Sequence, residues 1–393
     1  MNTLLKCLYG CVSFVFILFA CAPKEKSAEN ELYVIDIGRE APVKEMVLQD
    51  MAEVEYIRME TSDEMLWQGW AVSAFTDQYI IDYHFRSGDV LVFDRKGKGI
   101  RKINRKGESG EEYSLYSNLL FDEEQEELYF NDPMKNKILV YTLDGTFKRA
   151  LDHAADKRYT DLRLFDSERL IVYNSLYPDD QVNTYLILSR ETGAIEEEFL
   201  IPQMGNKLNT QHRMTVGEQE LLVFIPNYPL IATPPEFILT EISNDTIFTM
   251  NRAMELTPFI VQQPARRTME SETFLFYAFN SSNYLFLTSI EKIFKREHGN
   301  INPARKHWMY DKKEGKLYQP AIRNGDFTTE EEITITTQQT VFSAANQNVY
   351  LQVLHAGDLV EAYANNQLTG RLKEIAKELD EEDNPVILVA RFR

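Results

Sequence analysis

Apolar residues fall in short runs separated by polar turn residues over most of this chain. Six runs are of one kind: Tyr79-Ile80-Ile81, Leu128-Tyr129-Phe130, Leu170-Ile171-Val172-Tyr173, Leu221-Leu222-Val223-Phe224, Tyr284-Leu285-Phe286-Leu287 and Val349-Tyr350-Leu351. β-Branched and aromatic residues dominate them, as in strands buried between packed sheets. Five are followed by a second strand that leads into a turn, the clearest being Val90-Leu91-Val92-Phe93, Ile138-Leu139-Val140-Tyr141 and Tyr185-Leu186-Ile187-Leu188. The turns are Arg95-Lys96-Gly97, Leu143-Asp144-Gly145, Glu191-Thr192-Gly193, Ser243-Asn244-Asp245 and Lys313-Glu314-Gly315, starting 48, 48, 52 and 70 residues apart by subtraction. Glycine, Asn and Asp tolerate the positive φ of tight hairpins. A period near this length, with strands on both sides of each turn, predicts β-propeller blades.

The sixth unit is irregular. After Val349 to Val353, Leu372, Ile375, Ala376 and Leu379 fall at helical spacing. The acidic run Asp380-Glu381-Glu382-Asp383 ends that helix, and Val386-Ile387-Leu388-Val389 supplies one last strand. A blade short of its outer strand predicts a loan from the N-terminus, by Leu32-Tyr33-Val34-Ile35 or by Val54-Glu55-Tyr56-Ile57. Such closure removes free sheet edges. The predicted fold is all-β: a six-bladed β-propeller of four-stranded antiparallel blades, closed between N- and C-terminal strands, with one short helix near the C-terminus. It occupies residues 32–393.

The first residues read differently. Lys6 precedes the apolar run Cys7 to Ala20, which is short for a membrane span. Leu18-Phe19-Ala20-Cys21 resembles a bacterial lipobox, which makes residues 1–20 a lipoprotein signal peptide and Cys21 the lipidation site. Residues 21–31 are polar and read as a flexible tether. Cys7, Cys11 and Cys21 are the only cysteines, so the mature chain would have no thiol for a disulfide or a cysteine metal site. Acyl chains on Cys21, at about 0.8 kcal/mol per buried CH₂, would anchor it to the membrane.

Composition narrows the partners. With 393 residues and 44% hydrophobic content, the chain can bury a large core. Its formal charge of -19 argues against nucleic acid, which is bound by clustered cations. Against that background Arg95, Lys96, Lys98, Arg101, Lys102, Arg105 and Lys106 crowd one hairpin and its exit. They suit either a solvated outer strand or an anion-binding site, with Arg101, Lys102, Arg105 and Lys106 as its candidates. His84, His153, His212, His298, His307 and His355 form no metalloprotease pattern. Gly107-Glu108-Ser109-Gly110 is not a nucleophile elbow, and Gly97-Lys98-Gly99 lacks the third glycine of a dinucleotide loop. No cofactor or metal site is expected. Trp67 and Trp70 suit core packing or sugar stacking.

Several segments together resemble the six-bladed β-propeller lipoproteins of Bacteroides-type bacteria, relatives of NHL- and TolB-like propellers. They are Glu55 to Thr61, Tyr79 to Asp82 with Val92 to Gly97, Arg105 to Tyr113, Ile242 to Phe248 and the closing Leu372 to Arg393. The segment around Gly107 has Ser109-Gly110-Glu111 where Gly-Pro is common in that group. The resemblance implies fold and an envelope address, and carries over no catalytic residues. The leading expectation is therefore a monomeric, outer-membrane-anchored binding propeller for an envelope protein, peptide or glycan. An alternative is a lyase or hydrolase with a metal at the axis, which requires two or more His, Asp or Glu at inner-strand ends. A third is a structural envelope component with an exposed apolar patch.

Overall fold

The computed structural model describes residues 31–114, 118–175, 184–202, 211–216, 219–225, 227–297, 300–330, 332–336 and 349–393. Its sheets are arranged as the blades of a six-bladed β-propeller. Blade 1 is Ala74–Phe75, Tyr79–His84, Asp89–Asp94 and Gly99–Asn104. Blade 2 is Asn118–Asp122, Glu127–Asp132, Lys137–Thr142 and Phe147–Asp152. Blade 3 is Tyr159–Leu164, Arg169–Asn174, Tyr185–Ser189 and Ile195–Phe199. Blade 4 is Leu230–Thr233, Glu236–Leu239, Thr246–Met250 and Leu256–Gln263, and blade 5 is Thr273–Asn280, Tyr284–Glu297, Asn300–Asp311 and Lys316–Arg323. Each of these five is antiparallel and meanders outward from its first strand.

Blade 6 closes the ring. Among the described residues it has Val349–Leu354, Val386–Phe392 and, outermost, Ala52–Arg58 from the N-terminal side. Of the two N-terminal candidates, the strand containing Val54 to Ile57 is thus the one that closes the propeller. The other goes elsewhere: Tyr33–Asp36 lies parallel to Leu256–Gln263 on the rim of blade 4. Val43–Val47 then lies parallel to Lys316–Arg323 on the rim of blade 5. The N-terminal arm therefore crosses three blade rims in succession. Alternation explains the fit, because Tyr33 and Ile35 are buried while Val34 faces solvent.

Apolar cores join neighbouring blades around the ring. Phe93 shares one with Val389 between blades 1 and 6, and Val92 shares another with Phe130 between blades 1 and 2. Val140 and Val172, Tyr185 and Phe237, Ile238 and Leu287, and Phe286 and Leu388 mark the other four. Burying each such side chain contributes about 1.5–3 kcal/mol. Because the cores form a closed circle, loss of one blade exposes two of them.

Two expectations are corrected in blade 4. Leu221 to Phe224 lies in a separate hairpin, Gln211–Val216 with Gln219–Phe224, in the connection between blades 3 and 4. The second blade strand is instead Glu236–Leu239. Ser243-Asn244-Asp245 joins second to third strand, whereas the other four turns join third to fourth. The equivalent position in blade 4 is Met254, which takes a φ of 60°. Left-handed residues then stand at Gly97, Gly145, Gly193, Met254 and Gly315, spaced 48, 48, 61 and 61 by subtraction. Gly97 is required twice over: its φ is 83°, and a Cβ there would lie 2.1 Å from the Arg58 carbonyl oxygen.

The expected C-terminal helix is present as Gly370–Ala376, preceded by a second, Ala356–Ala364. Together they occupy the connection between Val349–Leu354 and Val386–Phe392 of blade 6. Leu359, Leu372, Ile375 and Leu379 bury against Val386, with Tyr56 and Leu354 packed alongside. Asp383 of the acidic run bonds the Asp380 amide and pairs with Arg58 at 3.1 Å, so it ties this segment to the closing strand. No helix among the described residues is long and apolar enough to cross a membrane.

Candidate functional site

Strand alternation sorts the connections to two ends of the blades. First-to-second and third-to-fourth connections share one end, and in blades 1–5 they are short, such as 76–78, 143–146 and 234–235. Second-to-third and fourth-to-first connections share the other. There lie the extra hairpin of residues 211–224, the long strands Tyr284–Glu297 and Asn300–Asp311 reaching beyond the blade, and the helical segment 355–385. We refer to these as the turn end and the insertion end.

An axial cavity of about 190 Å³ begins where the chain enters the first strands at the insertion end. Four successive blades contribute: Ser73 and Ala74 from blade 1, Asn118 to Phe121 from blade 2, Thr160, Asp161 and Arg163 from blade 3, and Asn227 and Tyr228 leading into blade 4. The sequence reading missed this set. No two of its polar residues from different blades are close in the chain, so no spacing announced it.

Its blade 3 wall carries an ion pair. Arg163 Nη1 lies 2.7 Å from Asp161 Oδ1 and also donates to the Leu162 carbonyl at 2.6 Å. The Leu162 amide donates to Asp161 Oδ1 at 3.0 Å. Burial pushes the Asp161 carboxyl upward, and the Arg163 charge and backbone donors oppose this. Burial also raises the Tyr228 hydroxyl, against the Arg305 charge. Asn118 Nδ2 donates to the Thr160 carbonyl at 3.1 Å and links blades 2 and 3. Two buried atoms of the lining have no partner among the described residues, Arg163 Nε and Asn227 Oδ1. Unmade bonds of this kind cost about 1–3 kcal/mol each.

The four candidate anion-binding residues are dispersed along the outer strand of blade 1 and its exit. Lys102 pairs with Asp89 at 3.3 Å, Arg105 Nε donates to the Gly145 carbonyl of blade 2 at 2.8 Å, and Lys106 Nζ donates to the Arg86 carbonyl at 2.5 Å. Arg101 is exposed. Arg95 is engaged elsewhere, 3.7 Å over the Phe75 ring and bonded to the Thr76 carbonyl. Cys21 lies outside the described residues.

Among the described residues the histidine side chains do not converge. His84 bonds Ser87, His153 bonds Asn131 and packs on Tyr159, and His307 bonds Thr288. Burial pushes His153 down to about 4. His355 precedes the first C-terminal helix, and the side chains of His212 and His298 lie outside those described. Asp161 is the single carboxylate among the described residues of the axial lining. Among the described residues no group of three or more His, Cys, Asp or Glu is disposed to hold a metal. Trp67 packs on Phe93 and donates to the Gly69 carbonyl, whereas Trp70 is 54% exposed.

A second charged cluster sits at the turn end between blades 2 and 3. Glu127 accepts from Arg149 Nη1 and Nη2, each at 3.0 Å, and from Lys148 and Tyr129. Arg190 bridges Glu127 and Asp122. Burial would raise the Glu127 carboxyl, but these donors hold it well below its ordinary range. The donors and acceptors meet one another, so this cluster welds two blades.

The fold makes this a β-propeller of six blades. The chain belongs to the family described as a domain of unknown function, DUF4934, which matches residues 32–391. It is similar in structure to a Bacteroides fragilis protein whose name marks it as exported, with 13% identity, a TM-score of 0.64, and 92% of this chain and 100% of that one covered. A duf4221 family member from Bacteroides vulgatus is 6% identical, with a TM-score of 0.49 over 88% of this chain and 99% of that one. Virginiamycin B lyase from Staphylococcus aureus is 10% identical, with a TM-score of 0.33 over 67% of this chain and 97% of that one, and carries no argument about activity. No curated protein matches the chain.

Proposed function

We propose that this protein is a binding propeller of the bacterial envelope, held to the outer membrane by lipid on Cys21, that takes a protein, peptide or glycan ligand at its insertion end. The axial cavity carries this reading. Four blades converge on it, most of its lining lies on their first strands, and polar side chains reach it from each of the four, among them Ser73, Asn118, Thr160 and Asn227. A concave site with a few convergent polar groups on a stiff frame is the usual form of a ligand site. The apolar run before Cys21, and the exported designation of the B. fragilis neighbour, support the envelope address.

The test is affinity capture from envelope extracts by the full chain and by Thr160→Trp, which fills the cavity. Material retained by the wild type and lost by the variant supports the reading, and equal capture by both overturns it. Incorporation of labelled palmitate into the wild type but not into Cys21→Ala checks the anchor.

A further inference from the structure

The chemistry of the axial cavity bears on which ligand it takes, an inference that rests on the binding function proposed above. Among its described residues the lining carries one charge of each sign. Asp161 and Arg163 oppose each other at 2.7 Å, and Ser73, Asn118, Thr160 and Asn227 are uncharged. A ligand with one net charge would meet a like charge beside every opposite one, in surroundings that strengthen both interactions. The lining also mixes functions: Asn118 and Asn227 each carry an amide donor and acceptor, and Ser73 and Thr160 carry hydroxyls that do both. A sugar hydroxyl donates and accepts at once, so a polyol satisfies such a mixture without adding charge.

Size and walls point the same way. A volume of about 190 Å³ holds roughly six waters at about 30 Å³ each. It falls below the roughly 300–1,000 Å³ of sites for drug-sized ligands. One ring fits, and an oligomer would have to extend outward. Leu119, Phe121 and Tyr228 give the cavity an apolar side, suited to the C–H face of a ring.

We propose that the axial cavity binds a single neutral pyranose ring, free or as the terminal unit of a glycan. The test is saturation-transfer NMR on the full chain. The neutral probes are D-glucose, D-galactose, D-mannose and N-acetyl-D-glucosamine, each also as its methyl glycoside. D-Glucuronate, D-glucosamine and L-alanine represent anion, cation and zwitterion. The expected result is that at least one neutral sugar binds tenfold or more tightly than every charged probe. Asn227→Ala then weakens that sugar at least tenfold and Thr160→Trp abolishes its signal, with unchanged thermal melts showing that both variants fold. Retained binding of the methyl glycoside identifies a glycan terminus, and its loss identifies the free sugar. If a charged probe binds best and Thr160→Trp abolishes it, the neutral-ring proposal fails while the axial binding site stands. If the sugar binds Thr160→Trp as well as the wild type, both fail. If no probe binds, the neutral-ring proposal fails, and the capture comparison decides the binding function independently.

Discussion

The turn end and the insertion end are made by the same strands, yet they differ in almost every respect. At the turn end the connections of blades 1–5 are short, and the Glu127 cluster pairs its charges across blades 2 and 3. At the insertion end stand an extra hairpin, a helical pair, and buried polar atoms without partners among the described residues. One of these is Asp82 Oδ1, 1% exposed at residue level, on a carboxylate whose other oxygen accepts from the Gln68 and Gly69 amides at 3.2 and 3.3 Å. The lesson is one of division. The Glu127 cluster satisfies its charges internally and supplies stability, while the axial lining at the other end holds buried polar atoms that no described residue meets.

The largest expected effect tests the closed ring beneath both ends. Deleting the last strand, residues 386–393, exposes the cores around Phe93 and Phe286 together. The truncated chain should show no cooperative melt by circular dichroism. A normal melt would mean that the blades stand independently.

Next comes the turn end. Glu127→Ala leaves half-buried Arg149 without its carboxylate and buried Arg190 with Asp122 alone, at a cost of about 3–5 kcal/mol. The folded pKa of Glu127 is depressed, so its stabilising contribution is full above the ordinary 4.5 and is lost as pH falls below it. Urea melts should therefore separate variant and wild type widely at pH 7 and progressively less below pH 4.5.

Asp82 should behave in the opposite sense. Burial raises its pKa from 3.8 to about 7, partly offset by the Gln68 and Gly69 amides. The folded state holds the proton more tightly, so this group costs stability as pH rises from 3.8 to 7, up to roughly 4 kcal/mol, and the cost stays constant above. Asp82→Asn should be the more stable protein at pH 8 by about 2–4 kcal/mol, with the advantage gone near pH 4. Parallel pH profiles for the two proteins would remove Asp82 from the contrast.

The smallest effect concerns Arg101 and Lys102. Reversing both charges at these exposed positions should change stability by less than about 1 kcal/mol. If the blade 1 cations form an anion site, the double variant should lose retention on a sulfated resin at low salt. Unchanged retention would assign them to a solvated strand.

Much of the blade pattern was legible locally. Gly97, Gly145 and Gly193 announced their hairpins because only a residue tolerant of positive φ fits there. Met254 did not, since its left-handed conformation is imposed by the hairpin around it. The Asx signal at Ser243-Asn244-Asp245 was real but belonged to a different connection of the blade. The Asp82 and Glu127 environments carried no local signal, because partners such as Arg190 arrive from a neighbouring blade.

By itself the sequence determined the strand class, the turn chemistry and the number of blades, because alternation and positive-φ tolerance act between near neighbours in the chain. Tertiary structure alone decided which N-terminal strand closes the ring. Leu32 to Ile35 and Val54 to Ile57 are similar short apolar strands, and only the position of the open blade edge distinguishes them. It also decided the axial site, since Asn118 of blade 2, the Asp161–Arg163 pair of blade 3 and Asn227 at the entry to blade 4 meet only when those blades close around an axis.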